Sequence, residues 1–195
     1  MRNALSKTAL PARLFARAMS VMIILLVTAM AAAQQPSPKQ VDIQRGAMRK
    51  LAFLTGHWSG PITIVRSSGE PLKLAQSENV QFKLDGLVLL IEGKSAGTDG
   101  KAQFEALATV AFDSATQSYR FRAYHDDNYL DAPLTVLVDG FSWEYTSGPA
   151  RVVNTMRLTA KGEWKEITDV TFGNNPPRPS VEMLLAREQQ FMSTF

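Results

Sequence analysis

After Gly56 the apolar side chains recur at every second position almost to the end of the chain, in short runs cut by turn dipeptides. A period of two is that of a strand with one covered face. Trp58, Gly60, Ile62 and Ile64 fall on one face of a first strand. Leu72, Leu74, Val80, Phe82 and Leu84 fall on one face of a second. Phe104, Ala106, Ala108, Val110 and Phe112 repeat the pattern, and Tyr119, Phe121 and Ala123 continue it. Asp85-Gly86, Asp139-Gly140 and Lys161-Gly162 are tight-turn signals between such runs. The pattern predicts about ten strands joined mostly by hairpin-length turns, the last carrying Val181, Met183 and Leu185.

Strands linked by hairpins are antiparallel neighbours, and a long meander leaves two exposed edges unless it closes on itself. An all-β fold is therefore expected, a closed up-and-down antiparallel barrel, with a two-sheet sandwich as the alternative. Before it, Val41, Ile43, Ala47, Met48, Leu51, Ala52 and Leu54 recur at helical spacing. One amphipathic helix is expected over residues 41–54, with Thr55-Gly56 as its glycine C-cap.

The N-terminus reads as a targeting segment. Arg2, Lys7, Arg13 and Arg17 precede an apolar stretch over residues 21–30, and Ala31-Ala32-Ala33 offers a small-residue cleavage site. A membrane anchor is the rival reading, since residues 18–35 carry no charge. Cleavage near Ala33 would leave a short linker over residues 34–40 and one barrel domain over 41–195, in the periplasm or secreted, with no further membrane span. The chain has 21 Lys+Arg and 18 Asp+Glu, and losing those four basic residues leaves 17 against 18, a net charge of −1. The basic balance of the whole chain thus belongs to targeting. Without a Lys/Arg cluster in the remainder, nucleic acid is not an expected partner. The absence of cysteine removes lipid anchoring through cysteine, thiolate nucleophiles and iron–sulfur clusters.

Leu54-Thr55-Gly56-His57-Trp58-Ser59-Gly60, following the helix, resembles the opening of calycin-type barrels such as the lipocalins. More closely, the chain is similar to exported bacterial lipocalin-like domains related in shape to nitrobindin. Leu84-Asp85-Gly86-Leu87, Gly162-Glu163-Trp164-Lys165-Glu166 and Glu182-Met183-Leu184-Leu185-Ala186-Arg187 extend the likeness over nearly the whole domain. The resemblance implies that Trp58 plugs the closed end and that Arg187 stacks on it. Parity agrees, because Arg187 shares a face with Met183 and Leu185. Nitrobindins hold haem through a histidine near the C-terminal strands. This chain has no histidine after His125, so haem by that route is not expected, nor is any other cofactor.

A function must then be written in inward polar groups. Gln76 and Glu78 share the parity of Leu74 and Val80, which would turn an amide and an acid into the barrel. The expected outcome is instead a bend or bulge at Gln76-Ser77 that exposes both, since bulges are common where barrels curve. His125 shares a face with Phe121 and Ala123, yet it precedes the turn-like Asp126-Asp127-Asn128 and is expected at the rim. Asp126, Asp127 and Asp131 lack the glycine and terminal glutamate of an EF-hand loop and read as a solvated turn. His57 alternates with Trp58 and should face outward. Two histidines on different faces argue against a His-rich metal site, and no nucleophile elbow or phosphate-cradling loop occurs.

The expected function is binding of a small apolar or amphipathic molecule that enters opposite Trp58. It would contact Phe82, Phe104, Phe121, Trp143 and Tyr145, with Glu78, His125 or Asn154 fixing its polar end. Two alternatives stand beside it: an enzyme using Glu78 or His125 as acid/base, and a structural barrel with a filled core.

Overall fold

The computed structural model describes residues 37–188. The segment read from the sequence as a targeting signal and the tail after Glu188 lie outside those residues. Helix α1 (Pro38–Met48) leads into a 3-10 segment, Arg49–Leu54. Ten strands follow: β1 (Gly56–Ile64), β2 (Leu72–Lys83), β3 (Val88–Ala96), β4 (Ala102–Asp113), β5 (Ser118–His125), β6 (Asn128–Val136), β7 (Gly140–Ser147), β8 (Ala150–Leu158), β9 (Trp164–Phe172) and β10 (Arg178–Arg187). Each pairs antiparallel with the next, and β10 returns to β1, so the sheet closes into a barrel. Closure gives every strand two neighbours, which an open sheet denies its two outer strands. Among the described residues no helix is long and apolar enough to cross a membrane.

The lead-in differs from the single helix expected over residues 41–54. It starts earlier, at Ser37-Pro38, a residue favoured at N-caps followed by proline at the first helical position. It then tightens to three residues per turn, which sets Met48, Leu51 and Leu54 on one side. All three are fully buried, each worth about 1.5–3 kcal/mol of apolar burial. The expected glycine C-cap is also corrected. Thr55 closes the helix in an extended conformation, and Gly56 at φ +126° already belongs to β1. A Cβ there would lie 2.9 Å from Nη1 of Arg187.

The helical lead-in covers the barrel end where β1 starts and β10 finishes. Tyr119 at the start of β5 donates its hydroxyl to the carbonyl of Ala47 at 2.8 Å. Arg45 pairs with Asp85 at 2.7 Å in the turn between β2 and β3. That turn holds Leu84, Asp85 and Gly86 at positive φ, so Leu84 is exposed in the turn and does not continue the inward face of β2. Trp58 fills the closed end, 1% exposed, and its indole N–H donates to the Leu54 carbonyl at 2.8 Å. Trp58 and Arg187 are register partners across β1 and β10, and the guanidinium carbon lies 4.1 Å from the ring centroid. The same guanidinium donates to the carbonyls of Phe53 and Thr55.

One joint of the wall is short. β5 and β6 pair from Tyr119–Leu134 to His125–Asn128, and β7 pairs with β8 along its whole length. Between β6 and β7 the register runs only from Leu134–Trp143 to Val136–Phe141. The halves of these strands nearest the open end are not paired to each other.

Candidate functional site

On β2 the pairing with β1 and with β3 runs without a register shift through Gln76, Ser77 and Glu78. The bulge expected for this stretch is absent, and both polar side chains point inward. Gln76 is 5% exposed and donates to Oε1 of Glu78 at 2.7 Å. Its own oxygen accepts the Ser95 hydroxyl from β3, whose residue is 2% exposed. Register places Gly93 opposite Glu78. The two carboxylate oxygens lie 2.8 and 2.9 Å from where a Gly93 Cβ would stand. Only a residue without a side chain admits the acid at that height.

A second acid comes from β9, where Trp164, Glu166, Thr168 and Val170 share inward parity. Glu166 accepts from the Asn154 amide at 2.8 Å and from the Trp164 indole at 2.7 Å. Asn154, 2% exposed on β8, also donates to Thr168 at 3.0 Å, while its Oδ1 has no partner.

Both acids line one interior cavity of about 240 Å³. Its origin is a run of small inward residues. Gly93 pairs with Ala106 across β3 and β4, and Ala108 pairs with Ala123 across β4 and β5. Facing this bare patch are aromatic rings. Phe121 and Trp143 stack with centroids 4.8 Å apart and planes 8° apart. Trp164 meets Phe141 edge-on at 6.1 Å and Trp58 at 5.7 Å. Phe121 sits on β5 and Trp143 on β7, so their rings meet across β6. The residue of β6 paired with Phe121 is Ala132, 1% exposed and small enough to permit that contact.

Burial pushes the Glu78 carboxyl up to about 8; the Gln76 hydrogen bond opposes this and the nearby Glu166 carboxylate adds to it. Burial likewise raises Glu166, against the stabilising bonds from Asn154 and Trp164. Both acids keep some accessible surface, as groups facing a void do. A carboxyl in such surroundings takes up a proton near neutrality and can then donate a hydrogen bond or the proton itself.

His125 stands at the rim opposite the closed end and also lines the cavity. Its ring lies 3.9 Å from Phe104, centroid to centroid, and Nδ1 is 3.3 Å from the Glu105 carbonyl. Nε2 lies 3.3 Å from Asp126. Asp131 faces away from the interior and pairs with Arg120 and Arg122. Among the described residues no group of three or more histidine, aspartate or glutamate side chains could hold a metal ion. His57 is exposed on the outer face.

Of the residues singled out in the sequence, the structure brings Glu78, Phe104, Phe121, His125 and Trp143 to the cavity. Asn154 stands behind it, holding Glu166. Tyr145 stacks behind Trp143 at 5.9 Å, and Phe82 packs on the core outside the lining set. Sequence reasoning missed Glu166 and Trp164. The signal was present, because the alternation that turns Trp164 inward does the same for Glu166.

No protein-family model and no curated protein sequence matches this chain. Among solved structures, the crystal structure of Rv2717c from M. tuberculosis is similar, with a TM-score of 0.55 and 13% identity. The match covers 73% of this chain and 98% of that one. At that identity the likeness is one of fold.

Proposed function

We propose that this chain is an exported barrel that holds a small apolar or amphipathic molecule in its interior. The observation that carries the reading is the cavity itself, bare on the β3–β5 side and walled by stacked rings on the other. A barrel built only for stability would fill that space, since interiors pack to crystal-like density. Entry at the rim near His125 and Phe104 fits the plugged opposite end, where Trp58 and Arg187 meet. Export is supported by the basic and apolar pattern of residues 1–33. Native mass spectrometry of protein taken from its own host tests the reading. A retained small-molecule adduct, lost in Ala106→Leu, is expected. A clean apo mass, together with failure of any apolar probe to enter, would sink it.

A second reading has its own support. Glu78, Glu166 and His125 all border one void, which is the convergence an acid–base catalyst requires. In that case Glu78→Gln protein taken from the host carries an unchanged substrate where wild type carries product or nothing. Identical adducts in both would remove this alternative.

A further inference from the structure

We infer that the cavity selects a small organic ammonium ion over a neutral molecule of the same shape, a reading that rests on the container function above. The ionisable groups lining it are two acids, Glu78 from β2 and Glu166 from β9, and the rim imidazole of His125 from β5; no lysine or arginine joins them. Asp126 stands beyond His125, and Lys94 and Glu105 pair with each other at 3.0 Å on the exposed side of β3 and β4.

With both acids ionised, as a bound cation would leave them, the hydrogen-bonding capacity left over is of one kind. The Gln76 amide is committed to Glu78, and the Ser95 hydroxyl to Gln76. The Asn154 amide is shared between Glu166 and Thr168, and the Trp164 indole is given to Glu166. An ionised carboxylate offers about four acceptor positions. Glu78 uses one of these for Gln76, and Glu166 uses two. The surplus calls for a ligand that brings N–H donors.

Charge and surface point the same way. Two acids at one void repel each other and take up protons when it is empty. A cation removes that repulsion. The rings of Phe104, Phe121, Trp143 and Trp164 line the void, and aromatic surface of this kind attracts a positive nitrogen and accepts the apolar remainder of such a molecule. Gly93 fixes the height of Glu78 against the wall, so the acid is a placed group and not a loose one.

Calorimetric titration of the protein at pH 7 with 2-phenylethylammonium, 2-phenylethanol and phenylacetate tests this. The ammonium ion should bind about tenfold or more tighter than the alcohol, a difference of about 1.4 kcal/mol, and phenylacetate should not bind. Heats in buffers of different ionisation enthalpy should show about one proton released per ammonium bound and none with the alcohol. Glu78→Gln and Glu166→Gln should each weaken the ammonium by about tenfold and leave the alcohol within about twofold. Equal or tighter binding of the alcohol overturns the selectivity and leaves the container standing. Failure of all three to bind overturns the selectivity, and together with a clean apo mass from the host it overturns the container as well. The wild-type comparison decides even where a glutamine variant does not fold.

Discussion

The carboxylate of Glu78 occupies the space that a side chain on Gly93 would need, with oxygens 2.8 and 2.9 Å from the Cβ position. The two residues are register partners on β2 and β3, so one is the complement of the other. Gly93→Ala should destabilise the protein by about 1–3 kcal/mol through overpacking. In a Glu78→Ala background the same change should cost little. A urea double-mutant cycle measures the coupling, and simple additivity would show that the acid does not rest on this glycine.

Glu78 also sets a slope of stability against pH. Its folded value of about 8 stands above its ordinary 4.5. Between those values the native state holds a proton that the unfolded chain has lost, so stability falls as pH rises from about 4.5 to about 8 and then levels. Glu166, also raised, adds in the same direction. Glu78→Gln should remove a loss on the order of a few kcal/mol from this window. Urea midpoints at pH 5 and pH 8.5 check it, and an unchanged slope in the variant refutes the assignment.

Arg187 joins the last strand to the first and to the helical lead-in at once. Arg187→Ala removes the contact with the Trp58 ring and the bonds to Phe53 and Thr55. A loss of about 1–2 kcal/mol is expected. Arg187→Lys should recover part of it, since charge survives while the planar fork does not. Chemical denaturation followed by tryptophan fluorescence reads both.

Ala132 permits two rings on non-adjacent strands to stack. Ala132→Leu should part Phe121 from Trp143, cost about 1–3 kcal/mol and alter the near-ultraviolet dichroism of the tryptophan. Unchanged dichroism would mean that the stack does not depend on the small residue between its members.

Strand alternation made the fold readable before any coordinates, because a period of two needs only local sequence. The plug of Trp58 and Arg187 was legible from parity together with family likeness. The site was half legible. Parity turned Glu78 inward, but deciding against a bulge required the partners of β2 on both sides, which a single strand does not reveal. Glu166 went unseen although its parity matched Trp164, since nothing local says that β9 reaches the same void as β2. The 3-10 tightening was hidden because Met48, Leu51 and Leu54 fit an ordinary helical stripe equally well.

The brief register between β6 and β7 gives the cylinder one yielding side. Parting those two staves at the mouth breaks no ladder bonds between them, whereas parting any other pair would. Backbone amides of Asn128 to Ala132 that face β7 should therefore exchange with deuterium sooner than those facing β5. A guest too broad for the rim would find its passage there, beside the stacked rings of Phe121 and Trp143.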